Sequence, residues 1–326
     1  MKILGIGNAL IDVLAKLKDD ILLNELNLPK GSMNLIDVRT RNKLLDKVKH
    51  REVKMTTGGS AGNTSLALAK MGMDVGFIGK VGEDKHGSFY VNEMNDAGIR
   101  PHFIFSENPS GTAIVLITPD GERTFGTYLG VAADLRKEEL QEEIFRRYTH
   151  FYIEGYLVQN HALIEGALIM AKSCGLTTAL DLASYNVVET EKEFLQELID
   201  KYVDIVFANE MEAHALTGKN PEEAVVEIGN KVQIAVVKTG GDGSWVKQGN
   251  ELLHVPVEKI LPLDTTAAGD YYAAGFFYGL AQNASIKQCA QTGSLLASEI
   301  IRVVGTQLPD STWEAVKRKA NEIINH

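Results

Sequence analysis

Leu263-Asp264-Thr265-Thr266-Ala267-Ala268-Gly269-Asp270 leads directly into the helix-period run Tyr271–Leu280. Ala267, Ala268 and Gly269 have almost no side chains, so a ligand can approach their backbone amides closely. The first N–H groups of a helix have no intrahelical partner, and together with the helix dipole they favour an anion. Asp270 falls in the first turn. There the dipole keeps its carboxylate ionised and able to accept a proton from a hydroxyl. Donors for developing negative charge, beside a carboxylate that orients a nucleophile, are the parts that phosphoryl transfer needs. An acid that merely complements a helix dipole is the commoner account of an Asp at a helix start, so this spacing alone does not decide.

Three further segments extend the argument. Gly58-Gly59-Ser60-Ala61-Gly62-Asn63-Thr64 runs into Ser65–Met71 and closes at Gly72. Its small residues allow close backbone approach, and Asn63 offers both a donor and an acceptor, as recognition of sugar hydroxyls requires. A glycine-rich helix start packed on a strand fits the same residues. Asn209-Glu210-Met211-Glu212 follows the apolar run Ile205–Ala208. Carboxylates at a strand's C-terminal end stand where open α/β sheets bind ligands, and Glu212 suits a hydrated Mg²⁺. Asn209 as an N-cap with acids in the first turn explains these residue types equally well. Lys238-Thr239-Gly240-Gly241-Asp242-Gly243 reads as a hairpin turn along which a nucleotide could lie, although a plain turn is the better local reading.

Around these segments, short apolar runs alternate with helical ones. Ile3–Ile6, Val75–Ile78, Phe151–Ile153, Thr178–Leu182, Ile205–Ala208 and Ile234–Val237 read as strands. Ala61–Met71, Leu163–Ser173, Lys192–Lys201, Pro221–Asn230 and Ser285–Ile301 read as helices. This alternation predicts an α/β fold, doubly wound, with a mostly parallel sheet covered by helices on both faces. Residues 12–35 and 103–128 break the rhythm. The second carries the turn Pro119-Asp120-Gly121, and both segments suit a small antiparallel flap or ordinary surface excursions.

Composition narrows the function classes. A hydrophobic content of 44% with 23% charged residues is ordinary for a soluble enzyme. A formal net charge of −10 repels nucleic-acid phosphate and anionic membrane, so neither is expected as a partner. Cys174 and Cys289 match no zinc spacing, and the opening apolar run, broken by Asp12, reads as a strand instead of a signal peptide. No stretch approaches the roughly 18 apolar residues of a membrane helix, so a cytoplasmic location is expected. There is no G-x-x-x-x-G-K-[ST], and Leu10 stands where a dinucleotide fingerprint beginning at Gly5-Ile6-Gly7 needs its third glycine or alanine. A dehydrogenase is disfavoured on that ground.

Taken together and in this order, the four segments resemble the ribokinase-like (PfkB) carbohydrate kinase family. Asp264–Asp270 is similar to its C-terminal signature. Gly58–Asn63 with Gly72, then Gly79–Gly82 with Asp84 and Gly87, is similar to its N-terminal signature, and Asn209 with Glu212 fits its N-x-x-E motif. The match runs from about Lys2 to Pro309. Gly7–Asp12, Asp204–Ala213 and Ala297–Gly305 look closest to the adenosine kinase branch. Ala267, where that branch usually has glycine, and the middle positions of Gly58–Asn63 depart from it.

The resemblance implies one kinase domain over residues 1–326, with a small β lid formed by roughly 12–35 and 103–128. It implies ATP and Mg²⁺ as cofactors and a small sugar or nucleoside as acceptor, phosphorylated on a hydroxyl, with a primary 5′-type hydroxyl of an adenosine- or ribose-like molecule expected. Asp270 would be the general base, and the amides of Ala267, Ala268, Gly269 and Asp270 the anion hole. Asp12, Gly58, Gly59 and Asn63 would hold the acceptor. Asn209 and Glu212 would organise Mg²⁺ and phosphate through water, and Thr239, Gly240 and Gly243 would line the nucleotide. Asp264, Thr266 and Gly305 match the surroundings of a monovalent cation, K⁺. A phosphorylated acceptor would call for a basic clamp; Arg123, a lone arginine among acids, points instead to an uncharged one. Phe103, Phe105, Phe125 and Tyr128 are the aromatic candidates for stacking on a nucleoside, or equally for a lid core. Assembly as a monomer or a lid-mediated homodimer is open. The alternatives are a fructose-type or other sugar kinase of the family, and a non-catalytic sugar- or nucleoside-binding regulator.

Overall fold

The computed structural model describes residues 1–120 and 122–325, so Gly121 of the expected turn lies outside the described residues. In chain order the strands are β1 (Lys2–Ile6), β2 (Leu10–Lys16), β3 (Met33–Leu35), β4 (Val53–Gly58), β5 (Asp74–Gly82), β6 (Arg100–Ser106) and β7 (Gly111–Ile117). They continue with β8 (Arg123–Tyr128), β9 (His150–Glu154), β10 (Thr177–Asp181), β11 (Ile205–Asn209), β12 (Ile234–Lys238), β13 (Ser244–Gln248) and β14 (Glu251–Val255).

The large sheet has the order β14-β13-β12-β11-β10-β9-β1-β5-β6. From β12 to β6 every pairing is parallel, and only β13 and β14 run antiparallel at one edge. Its strands are apolar on both faces because both faces are covered. Ile3, Phe77, Tyr152, Phe207 and Val236 enter one core, while Leu4, Ile78, Phe151, Val206 and Val237 enter the other. Successive side chains of a strand point to opposite faces, so a continuous apolar run feeds two layers at once. All six strands expected from the sequence lie in this sheet.

The second sheet has the order β3-β8-β7-β2-β4. It is larger than the antiparallel flap expected at 12–35 and 103–128, because β4 joins it and β2 begins at Leu10, and it is mixed, with β2–β7 and β3–β8 parallel and β2–β4 and β7–β8 antiparallel. Residues 103–106 belong elsewhere: they complete β6 at the edge of the large sheet, paired with Gly79–Gly82 of β5. Alternating polarity marked a two-faced strand there, and an edge strand of the main sheet satisfies that pattern as well as a flap does.

Two helices bring the chemistry into place. The Ala268–Ala281 helix packs on Ile286–Ile300 at Gly275, where an added Cβ would stand 2.4 Å from the Thr292 carbonyl oxygen. Any side chain at Gly275 would push the two helices apart. The Ser60–Lys70 helix starts at Gly59, whose φ of 83° is left-handed and whose Cβ position would lie 2.1 Å from the Asn8 carbonyl oxygen. Only glycine fits both constraints, and the turn it permits swings Ser60 and Asn63 toward Asp270. No described helix is long and apolar enough to cross a membrane.

Candidate active site

The carboxyl ends of the parallel strands supply the floor of the site. Glu154, Asp181, Asn209 and Lys238 are the last residues of β9, β10, β11 and β12. The strand order turns between β1 and β9, and open α/β sheets bind ligands at that point. All four residues line one cavity of about 1340 Å³ between the two sheets.

Asp270 lines this cavity. Its Oδ1 accepts from the Ser60 hydroxyl at 2.7 Å, and its Oδ2 from Asn63 Nδ2 at 2.9 Å. The Thr64 hydroxyl donates to the Asp270 carbonyl at 3.2 Å, which ties the two helix starts together. Burial pushes the Asp270 carboxyl up to about 6; the Ser60 and Asn63 hydrogen bonds work against the rise, Asp181 adds to it, and Lys238 opposes it. The helix behind Asp270 begins at Ala267, held in the left-handed region at φ 63° with no side chain to cap the first turn. The Ala268 N–H donates to the Thr265 carbonyl at 3.2 Å. Gly269 and Asp270 follow it in the first turn, where helix geometry provides no partner for an N–H.

Other acids crowd the same space. Burial, reinforced by Asp270 and Asp264, pushes Asp12 up to about 7. Burial raises Glu154 to about 7, although it accepts from the Asn8 N–H at 2.9 Å, Asn8 Nδ2 at 2.8 Å and the Ala61 N–H at 2.8 Å. Glu212 is raised by burial first and by Asp181 second. It also forms a capping box with Asn209, donated to by the Asn209 N–H at 2.7 Å and Asn209 Nδ2 at 2.6 Å.

Of the residues singled out in the sequence, Asp12, Gly59, Asn63, Asn209, Glu212, Gly240, Gly243, Thr266, Ala267, Ala268, Gly269 and Asp270 line the cavity. Gly58 lies behind Asp12, where a Cβ would come 2.3 Å from Asp12 Oδ1. Thr239 sits beside the lining, between Lys238 and Gly240. Its Oγ1 and Asn63 Oδ1 are buried without a protein hydrogen-bond partner. A buried polar atom left unpaired costs free energy, so both mark positions suited to a ligand's polar groups.

Asp264 and Gly305 are set back from the cavity and joined to each other. Asp264 Oδ2 accepts from the Gly305 N–H at 2.7 Å, and Oδ1 from the Thr266 N–H at 3.0 Å and its hydroxyl at 2.7 Å. The Arg123 guanidinium bonds the same carboxylate at 2.5 Å. Burial opposes ionisation of Asp264, but these donors prevail and its carboxyl is lowered. The aromatic candidates separate. Phe125 lines the cavity. Phe103 packs edge-on against Tyr90 in the core, Phe105 is exposed on β6, and the Tyr128 ring lies 5.7 Å from the Arg41 guanidinium carbon.

Ser60, Glu154, Asp181 and Lys238 are the site residues that the sequence reading did not assign. The argument used for Asn209, a polar residue ending an apolar strand, applies equally to Glu154 after Phe151–Ile153 and to Lys238 after Ile234–Val237.

Comparison with known proteins identifies the family. Residues 26–313 match the family model described as pfkB family carbohydrate kinase. A probable sugar kinase from Rhizobium etli CFN 42 superposes with a TM-score of 0.87 at 29% identity, covering 98% of each chain. Adenosine kinase from Sinorhizobium meliloti superposes with a TM-score of 0.86 at 31% identity, covering 98% of this chain and 99% of that one. Adenosine kinase 2 of Arabidopsis thaliana is 25% identical across 94% of this chain and 96% of its own. The chain belongs to the pfkB family of carbohydrate kinases and is a phosphotransferase with a hydroxyl-bearing sugar or nucleoside as acceptor.

Proposed function

We propose that this kinase transfers the γ-phosphoryl group of ATP to a primary, 5′-type hydroxyl of a nucleoside, adenosine-like in shape, with Asp270 as general base. The observation that carries the reading is the buried Asp270 carboxylate, held by Ser60 and Asn63 at a helix start inside one continuous cavity. Leu10, Met33, Leu35, Ala113 and Phe125 give one end of that cavity an apolar wall from the small sheet, which acts as the lid. A flat base has apolar and stacking partners there that a bare sugar would leave unused. Asp12 and the unpaired Asn63 Oδ1 hold the ribose hydroxyls, and Gly59 lets the backbone come close.

In the reaction, the acceptor hydroxyl gives its proton to the Asp270 carboxylate as its oxygen bonds to the γ-phosphorus. The bond from that phosphorus to the β,γ-bridging oxygen breaks, and the electron pair leaves with ADP. The amides of Gly269 and Asp270 face the charge on the transferring group, with those of Ala267 and Ala268 shaping the turn. Gly240 and Gly243, with Thr239 behind them, line the nucleotide. Family membership implies ATP and typically Mg²⁺. No three acids or histidines among the described residues form a ready-made metal cluster, so the ion would keep most of its waters, and Glu212 with Asn209, which line the cavity at the end of β11, would hold it through them. When bound, Mg²⁺ neutralises phosphate charge.

K⁺ fits less well. The Asp264 carboxylate that would face it already accepts from Arg123, Thr266 and Gly305. The same contact occupies Arg123, which supports an uncharged acceptor. The test is ADP release from Mg-ATP with adenosine, inosine, ribose and fructose. Adenosine is expected to give the highest kcat/KM; ribose or fructose outperforming both nucleosides would overturn the nucleoside reading, and release with none of them would overturn the acceptor assignment.

A further inference from the structure

Lys238 ends β12 with its side chain 13% exposed, and its Nζ donates to Asp181 Oδ2 at 3.0 Å. An ammonium has three N–H groups, and Asp181 is its one hydrogen-bond partner among the described residues. A Cβ built on Gly269 would come 3.0 Å from Nζ, so the ammonium stands directly over the start of the Ala268–Ala281 helix. Burial disfavours its charge, but Asp181 and Glu212 outweigh burial and hold it protonated. A buried cation with spare donors, beside first-turn amides and within the field of Asp270, is arranged to meet an anion.

We propose that Lys238 is a catalytic residue that donates hydrogen bonds to the γ-phosphoryl oxygens, and that Asp181 holds it in place when no phosphoryl group is bound. This rests on the phosphoryl-transfer reading above. Lys238 neither gains nor loses a proton. As the acceptor oxygen bonds to phosphorus and the bond to the bridging oxygen breaks, the acceptor proton passes to Asp270 and Lys238 stabilises the equatorial oxygens. Gly269 follows from the same geometry, because a side chain there would stand between the ammonium and those oxygens.

The experiment measures Mg-ATP and Mg-ADP affinity by calorimetry without acceptor, for wild type, Lys238→Met, Lys238→Arg and the double variant Lys238→Met/Asp181→Asn. The double variant removes the carboxylate left uncompensated if Lys238→Met alone fails to fold. Losing the lysine should weaken ATP binding at least about tenfold while ADP stays within about twofold, and Lys238→Arg should restore part of the difference. In turnover, kcat should fall about 10²–10³-fold with acceptor KM little changed. An unchanged ATP-to-ADP ratio, or losses of both affinities in parallel with Tm, overturns the assignment and leaves a structural ion pair. Wild-type protein that turns over an acceptor while the variants match it overturns Lys238 alone. Wild-type protein that binds neither nucleotide overturns the kinase reading with it.

Discussion

Asp270 gathers most of the electrostatic consequence of this site. Its environment makes two opposing demands: burial favours the protonated acid, while Ser60 and Asn63 donate to the carboxylate. The balance near 6 keeps the proposed base ionised at neutral pH yet within reach of titration. A general base must be unprotonated, so kcat/KM of the free enzyme should hold above this value and fall about tenfold per pH unit below it. A pH–rate profile that stays flat down to pH 5 would contradict the assignment. At this scale the sequence was informative where small residues announced a helix start, at Ala267–Asp270. It was silent on Ser60, because a hydroxyl inside a glycine cluster carries no sign of the carboxylate it will meet 210 positions away.

Elements decide which residues meet. The large sheet was legible because its apolar runs have no polar face to confuse the period, as in Phe151–Ile153 and Ile205–Ala208. The small sheet was half legible. Val53-Lys54-Met55-Thr56-Thr57-Gly58 offers a weak alternation whose first three residues are exposed, so nothing in the chain marks β4 before β2 pairs with it. Strand β8 of the small sheet begins at Arg123, which reaches across to Asp264, two residues before Thr266 and the proposed anion hole. That contact supplies a fixed positive charge where the family resemblance suggested K⁺. Turnover should therefore be the same in K⁺ and in Na⁺ for the wild type, while Arg123→Met loses activity and gains a response to K⁺. Strong K⁺ stimulation of the wild type would show that the arginine does not fill this role.

Across the whole molecule, the site is a concentration of buried acid that folding tolerates for function. Asp12 shows the effect, with Asp270 and Asp264 adding to burial. Its folded value, about 7, lies above its ordinary 3.8. The folded protein therefore holds a proton that the unfolded chain has released, and stability from this group declines as pH rises from about 4 to about 7. Asparagine imitates the protonated acid and escapes this cost. Asp12→Asn should melt at least about 2 °C above wild type at pH 7.5, and the gap should close as pH approaches 4. A variant less stable than wild type at pH 7.5 would contradict the burial argument. The buried imidazole of His86, lowered to about 4, titrates in both proteins and cancels from the comparison. The overall architecture was readable because it follows from alternation and two-sided burial. The pairing of Lys238 with Asp181 was not, because it depends on β12 and β10, with β11 between them, finishing at one level.

The central claim is that Asp270 takes the acceptor's proton, and the direct measurement is single-turnover phosphoryl transfer by Asp270→Asn beside its Mg-ATP affinity. The amide keeps the shape, and the Ser60 hydroxyl can turn from donor to acceptor, so the fold should persist. The account predicts a loss of at least about 10³-fold in the transfer rate with nucleotide affinity essentially retained. Transfer at the wild-type rate would contradict it.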